Sequence, residues 1–525
     1  MKRDAFLYLT TFICGATIMA VEISSSRYLA PYYGSSMITW TILIGVIMTA
    51  LSIGNIIGGS IADSESARDR MYSLIWVASI WISIIPFIGK YVITFSCLLL
   101  MWVFPDYLQI AGVLFACLTI FSIPCVILGT VTPCLIRLGI KDLEHSGRIA
   151  GELYALSTIG SIFGTILPTF LTIPTIGTAR TFLVSGSVLC GLSLIYFFQK
   201  QFKKKRGMVT FIILLALLIF PKTSSFAFWK DIILEDESSY NYLQVGNDGD
   251  TIYLSTHVEI GRQSSLRKNN SFSGSYPDIA IGAAFFKPNF RSNDPLKILV
   301  LGFGGGTFAK LCHHFFPNSK IEGVEIDPKI IQLAYKYFDS KPSEARVYNE
   351  DGRAFLSRQP PGKYDVIFLD AFQDVTVPFH MATQEFFEIV RDHLALGGCV
   401  VVNVNLQAKN NSEMSDTIAK TMQSVFRSIK VCRTQSEMNI VIFASNEIKI
   451  EKSFAENIKK LDYQDPLFSE LNYVQKSLAD FTGKGIVLTD DIAPVELIGY
   501  RVMSDLLSEN LKALVALLLV SLRKV

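Results

Sequence analysis

The chain changes character at Pro221. Before it, apolar residues come in long unbroken runs; after it, apolar and polar positions alternate in short blocks. A helix needs about 20 consecutive apolar residues to cross the hydrocarbon core of a bilayer. Runs of that kind lie near 5–29, 38–62, 72–89, 109–136, 150–173 and 181–198. A weaker run, 91–104, sits between the third and fourth, and the 15-residue run 207–221 is short for a span. The first run stays apolar past any cleavage point of a secretion signal, so it reads as an anchor. The pattern predicts a multi-pass α-helical transmembrane domain over 1–221.

Beyond Pro221, SSYNYLQVGNDGDTIYLSTH alternates apolar and polar residues about Asn247-Asp248-Gly249-Asp250. A period of two around such a turn predicts a β-hairpin, placed in a small β-rich, substrate-side domain over 222–290. From Lys297 strands and helices take turns: KILVL, a helix from Gly306, KIEGVEI, a helix after Pro328, ARVYN, a short helix, YDVIFLD, a helix from Ala382 and CVVVNVN. Apolar strands separated by helices predict a parallel sheet covered on both faces, hence a Rossmann-like α/β domain over 291–505. The last stretch, 506–525, contains LKALVALLLVSLRKV, which is too short to span and reads as an apolar helix.

Charge sets the orientation. Lys2 and Arg3, Arg68 and Arg70, Arg137, Lys141 and Arg148, then Lys200 and Lys203–Arg206 mark every second connection, while PYYGSS and PTIGT carry none. Loops rich in Lys and Arg stay on the cytoplasmic side, so six spans with both ends in the cytoplasm fit. The run 207–221 is then expected to be a half-inserted or interfacial helix; the alternative is a full crossing, which would carry the rest of the chain outside. Glu22 and Arg27, near the outer end of the first span, read as an interfacial pair snorkelling to water; the alternative is an intramembrane polar site. The Gly- and Ser-rich segments Gly54–Gly59 and Gly160–Gly164 suit close helix packing in lipid.

Composition agrees: half of the 525 residues are hydrophobic and 18% are charged. A net charge of +2 offers nucleic acid no basic surface, so that partner is excluded. Nine cysteines form no C-x-x-C pair, and His313 and His314 are adjacent. Neither a disulfide framework nor a metal site is expected.

Ligands of parallel sheets sit at the carboxyl ends of the strands, and every candidate lies at such an end. The glycine turn Gly302–Gly306 closes the first strand, and Glu325, 23 residues after Gly302, closes the second. Asp351-Gly352 follow the third and Asp370 closes the fourth. A carboxylate can accept from both hydroxyls of a ribose, and Gly302 and Gly304 let the backbone approach a ligand closely. The dinucleotide pattern G-x-G-x-x-G, started at Gly302, needs a glycine where Thr307 stands, and no P-loop sequence is present. A nucleoside without a pyrophosphate is therefore expected. The bland alternative is that these acids only cap helices, as Asp327 before Pro328 is expected to do.

LEDESSYNYLQV, RQSS, ILVLGFGGG, GVEIDPKIIQLAYKYF, NEDGRAFL and YDVIFLDAF resemble spermidine synthases, the polyamine aminopropyltransferases. EISSSRYLAPYYGSS, GRIAGELYALSTIGSIFGTILPTF, VPFHMATQEFFE and LTDDIAPVE resemble their membrane-fused relatives, so the resemblance spans nearly the whole length. It implies a methyltransferase-type fold for the Rossmann-like domain. It also implies aminopropyl transfer from decarboxylated S-adenosylmethionine, as co-substrate, to putrescine, giving spermidine and methylthioadenosine with no cofactor and no metal. By the same resemblance Gln263 contacts the nucleoside thioether, Glu325 the ribose hydroxyls, and Asp351 with Gly352 the adenine. Asp370 is the base. An amine with a pKa near ~10 is protonated at neutral pH, so it attacks only after giving up a proton, which a placed carboxylate can accept.

Departures from the family pattern concern the amine side. Soluble members carry an aspartate where Gly305 stands, an Asp-Glu…Tyr-His-Glu stretch where this chain reads GSYPDIAIG, and a second aspartate where Gln373 stands. Tyr276, Asp278 and Asp374 remain as candidates for holding the amine. Each missing charge-assisted contact is worth about 1.5–3 kcal/mol, so the departures bear on which amine is accepted more than on the transfer. Two other readings stay open at this level. One is an S-adenosylmethionine-dependent methyltransferase, against which Val300 stands where such enzymes place an acid. The other is a non-catalytic nucleoside- or polyamine-binding membrane sensor or transporter. The expected partners are a small-molecule amine, the adenosyl co-substrate, the lipid bilayer and, as for soluble members, further copies of the chain. The expected place is the cell membrane, with the catalytic domain in the cytoplasm where the adenosyl co-substrate is.

Overall fold

The computed structural model describes residues 3–104, 107–140, 145–201, 203–219, 226, 231–258, 261–267, 272, 274–372, 377–405, 411–435 and 439–506. The chain divides into a helical unit, Met1–Phe228 with Asp236–Tyr242, and an α/β unit, Trp229–Glu235 with Leu243–Val525. The expected helix over 506–525 lies outside the described residues beyond Leu506, as does Asp374.

Five helices of the first unit are long and apolar enough to cross a membrane: Ala5–Tyr33, Met37–Ala62, Ala67–Val103, Leu108–Gly139 and Ser146–Lys200. The last is broken at Gly177, whose φ of 83° and ψ of 165° no helix contains, so it holds two of the six expected runs. The third unites the runs 72–89 and 91–104, because only Lys90 interrupts the apolar series and lysine is a good helix former. The glycines act as expected. A Cβ on Gly160 would stand 2.2 Å from the Phe12 carbonyl oxygen, and one on Gly164 1.9 Å from that of Ala16.

Contacts between helices define two ends of this unit. At the end carrying the basic loops, the Tyr8 hydroxyl donates to Glu152 (2.7 Å), Thr10 and Tyr72 share a hydrogen bond (2.9 Å), and Tyr72 stacks on Tyr196 at 4.2 Å. At the far end Tyr28 packs edge-on against Phe182 at 6.0 Å. The helix Lys204–Ile219 starts at the basic end, where Lys203 donates to Ser73 (3.1 Å). Phe211 then lies against Gly191, and Leu218 shares an apolar groove with Val184. The chain is next described at Phe226, at the far end, its ring 5.2 Å from Tyr28 and its carbonyl accepting from the Tyr32 hydroxyl (2.8 Å). The helix over the run 207–221 thus lies along the helical unit, from its basic end toward Val184. The run looks short in the sequence because the helix begins on basic residues, three positions before its apolar part.

Arg27 differs from expectation as well. Its guanidinium donates to the carbonyls of Ser238, Ser239 (3.4 Å) and Tyr240 (3.3 Å), so it fastens a later segment of the same unit rather than reaching for water. Beside that segment Glu237 accepts from the Thr178 N–H (2.7 Å) and hydroxyl (2.5 Å). Burial raises the Glu237 carboxyl above its ordinary range, and the Thr178 bonds oppose the rise.

The expected hairpin forms between β2 (Tyr242–Asn247, its first residue counted with the helical unit) and β3 (Thr251–Ser255), with Gly249 at φ 103° in its turn. It belongs to a four-stranded sheet in the order β1-β2-β3-β4, where β1 is Ile232–Glu237 and β4 is Ser264–Arg267. Leu243, Val245 and Leu254 pack on Ile330, Leu333 and Phe338, which seats this sheet against the α/β core.

The larger sheet contains β5 (Lys297–Leu301), β6 (Lys320–Glu325), β7 (Arg346–Asn349), β8 (Tyr364–Leu369) and β9 (Leu394–Val404). These five are parallel, in the order β9-β8-β5-β6-β7. An antiparallel tail extends it through β11 (Ile440–Ser445), β10 (Ser428–Arg433) and β12 (Ala479–Asp480). Alternate residues of each strand feed two cores: Leu299 and Leu301 face one layer, Ile298 and Val300 the other. Burial on both faces is what a continuous apolar strand requires.

Candidate functional site

The site grows from the end of β5. Gly302 takes φ +89°, and the chain turns there directly over the end of β8: the Asp370 N–H donates to the Leu301 carbonyl (2.8 Å), and a Cβ on Gly302 would meet the Asp370 carbonyl oxygen at 2.4 Å. Gly304 (φ +53°) donates its N–H to Glu325 Oε2 (3.1 Å), and the Gly305 N–H donates to Ser264 Oγ (2.8 Å). The turn is therefore held by β4 and β6 before any ligand arrives. Gly302→Ala is expected to cost about 2–3 kcal/mol or more, from a left-handed backbone and a clash with main chain; a thermal midpoint equal to wild type would refute this.

Glu325 is buried, and its second oxygen accepts from the Asp327 N–H (3.1 Å). Burial raises its pKa, and these backbone bonds pull it down. With the Ile326 N–H as a third backbone donor, the four acceptor sites of the carboxylate leave room for one more. Asp351 caps the helix Gly352–Ser357 through Ala354 N–H (2.8 Å), as the bland reading expects, but its other oxygen faces His380 Nε2 (3.1 Å). Asp327 caps the next helix, Pro328–Tyr337, as expected.

Asp370 stands at the centre, one residue beyond β8. Its Oδ1 accepts from Asn403 Nδ2 (2.9 Å), and Asn403 Oδ1 in turn accepts from Asn439 Nδ2 (2.9 Å). Burial pushes the Asp370 pKa up to about 7 and the Glu325 carboxylate adds to the rise, while the bonds from Asn403 and the Tyr276 hydroxyl oppose it. The backbone carbonyl of Gln263 lies 2.8 Å from the same hydroxyl, whose single proton serves one acceptor at a time, this carbonyl or the Asp370 carboxylate. The Gln263 side-chain Nε2 is buried with no hydrogen-bond partner among the described residues. Leaving a buried donor unmade costs about 1–3 kcal/mol.

The structure thus brings Gly302, Gly304, Glu325, Asp370, Gln263 and Tyr276 together, with Asp351 and Gly352 at the end of β7. Asp278 is placed differently. It is buried, and its Oδ2 accepts from the N–H groups of Gly274 (2.7 Å) and Ser275 (3.3 Å), so its carboxylate closes the turn that positions Tyr276. Gly305 has no room for the family's aspartate: a Cβ there would meet the Phe338 ring at 2.7 Å and Ser264 Cβ at 3.0 Å.

Residues 285–453 match the spermine/spermidine synthase domain. A probable polyamine aminopropyl transferase of Bifidobacterium longum is 35% identical over 334 residues, 60% of this chain and 73% of that protein. The chain belongs to the polyamine aminopropyltransferase family. A polyamine aminopropyltransferase of Vibrio vulnificus is 27% identical over 304 residues, 55% of this chain and 98% of that one. A probable spermidine synthase structure from Corynebacterium glutamicum aligns over 48% of this chain and 96% of its own, at 21% identity and a TM-score of 0.36, too low to add to the sequence relationship.

In this aminopropyltransferase several residues around the site escape a reading of the sequence alone. Asn403 and Asn439 support Asp370, and His380 faces Asp351. Arg353 forms a two-pronged pair with Asp490 (2.7 and 2.7 Å) and donates to the His380 carbonyl (2.9 Å), which explains the LTDDIAPVE stretch as a fastening behind that histidine. Glu470, on the helix Pro466–Ser477, is pushed up to about 7 by burial and by neighbouring Asp278. Nothing local in the sequence marks it.

Proposed function

We propose that the α/β unit transfers the aminopropyl group of decarboxylated S-adenosylmethionine to putrescine or a closely related amine, with Asp370 as proton acceptor. The amine nitrogen attacks the propyl carbon beside the sulfonium; the new C–N bond forms as the C–S bond breaks. The electron pair returns to sulfur, giving methylthioadenosine, and the ammonium proton passes to Asp370 directly or through water. The sulfonium is its own leaving group. Gly302 and Gly304 approach the nucleoside, Glu325 accepts from its ribose hydroxyls, Asp351 and Gly352 meet the adenine, and Gln263 meets the thioether. Tyr276 lines the amine side beside Asp370. Asp278 acts there through the turn it closes, and Asp374 stays a candidate from sequence alone. The length and apolar character of the helices support a seat in the cell membrane, with residues 222–290 as the substrate-side sheet and 291–505 as the transferase domain.

The observation that carries this reading is a carboxyl held near neutrality at the strand ends, next to a glycine turn and an unpaired amide donor. The test is release of methylthioadenosine by the full chain, supplied with the decarboxylated donor and a panel of amines. Binding of methylthioadenosine without amine-dependent release would leave a binding protein instead.

A pH dependence is expected from the same carboxyl. Asp370 must be ionised to accept a proton, so kcat is expected to be low below about 7 and to rise with pH through that value to a plateau. Asn403→Leu removes a donor that stabilises the carboxylate, so the rising limb is expected to move to higher pH. A limb that stays in place would separate Asn403 from the ionisation.

A further inference from the structure

We infer that the segment leading into the catalytic unit leaves the helical unit on the side of the membrane opposite the basic loops, so that the transferase domain is extracytoplasmic. This rests on the bilayer reading of the helices and not on the transfer chemistry.

Arg68, Arg70, Arg137, Arg148, Lys200 and Lys203–Arg206 lie at one end of the helical unit, where Lys203 meets Ser73 and Tyr8 meets Glu152. By the excess of Lys and Arg that end is cytoplasmic. Helix Lys204–Ile219 starts there and passes Gly191 and then Val184 on its way to the far end. Sixteen residues at ~1.5 Å each cover roughly 24 Å, most of a hydrocarbon core of about 30 Å.

Four contacts pin the chain beyond this helix to the far end. Phe226 sits on Tyr28, and its carbonyl takes the Tyr32 hydroxyl; Arg27 holds the carbonyls of Ser238, Ser239 and Tyr240; Glu237 holds Thr178. Tyr28 and Tyr32 close the first helix, and Thr178 comes just after the break at Gly177 in the loop PTIGT, which carries no basic residue. Arg27 is the guanidinium nearest that end in the first helix, and it is spent on backbone carbonyls. Leu243, the next residue after this fastened segment, begins the continuous stretch of the α/β unit. A helix that re-emerged on the basic side could not make these contacts without crossing twice.

The consequence is chemical. A sulfonium carries a permanent charge, and charges cross hydrocarbon at great cost. The adenosyl donor therefore has to be carried to the outer face, and the amines available to the enzyme are those outside the cytoplasm.

Labelling with a membrane-impermeant maleimide in right-side-out and inside-out vesicles tests this on the full chain. The native cysteines of the α/β unit, Cys312, Cys399 and Cys432, are buried and give little background. Leu396→Cys, at a position 93% exposed in the α/β unit, is expected to react in right-side-out vesicles, and Glu65→Cys, in the loop before Arg68, only in inside-out ones. Tyr463→Cys (84% exposed) with Asp63→Cys repeats the comparison should one variant fail to fold. Reaction of both members of a pair in the same orientation overturns the inference. Reaction of both in both orientations overturns the bilayer reading itself, and neither result touches the transfer chemistry.

Discussion

Asp370→Asn is expected to lower kcat by about 10²- to 10⁴-fold, the usual worth of a positioned general base, while methylthioadenosine binding stays near wild type. The substitution keeps the shape of the side chain and leaves an oxygen for Asn403 to donate to, so the strand ends should not rearrange. What it removes is the carboxyl at the strand ends that burial holds near neutral pH. The same variant makes a second, opposite prediction for stability. Asp370 titrates near 4 when unfolded and at about 7 when folded. The folded state therefore binds the proton more tightly, and stability falls as pH rises from about 4 to about 7, then levels. Each unit of that difference is worth ~1.4 kcal/mol, so the neutral amide is expected to raise the thermal midpoint at pH 8 and to change it little at pH 4. A variant that keeps wild-type turnover would take the proton-acceptor role from Asp370. One that loses both turnover and stability at pH 8 would mean that the site had collapsed instead.

The parts of this site that are legible in the sequence share one property: each sits where an apolar strand stops. The acids after KIEGV and YDVIFL and the glycines after KILVL are visible because burial on both faces forces the strands to be apolar, so a charged residue marks the exit. Partners that arrive from another strand leave no such mark. Asn439 reaches Asn403 because β11 runs antiparallel beside β9, across 36 residues of sequence, and His380 reaches Asp351 across 29. Both contacts belong to the tertiary fold. Asp278 shows the same limit: the resemblance marks it as a candidate for holding the amine, and the bonds its carboxylate accepts from the N–H groups of Gly274 and Ser275 appear only in the fold. In the helical half, counting apolar residues works wherever helices begin and end on polar ones. It undercounts the helix Lys204–Ile219, which starts inside the basic cluster. Arg27 is read beside Glu22 as one of an interfacial pair because its carbonyl partners lie more than 200 residues away.

Glu325→Ala is expected to weaken nucleoside binding by about 10- to 100-fold for each ribose hydroxyl bond it loses, since charge-assisted bonds are worth about 1.5–3 kcal/mol. A bare loss of affinity would be ambiguous, because Glu325 also holds the Gly304 and Asp327 N–H groups and its removal loosens the glycine turn. The two effects separate in a double cycle with 2′-deoxy and ordinary methylthioadenosine. If the carboxylate reads the ribose, wild type should bind the deoxy ligand more weakly, and Glu325→Ala should no longer tell the two ligands apart. If it only braces the turn, the substitution weakens both ligands equally and the preference for the hydroxyl survives intact. The second pattern would move the ribose away from β6. It would leave Asp370 as the acid on which the transfer depends, and Glu325 as part of the frame that sets the glycine turn beside it.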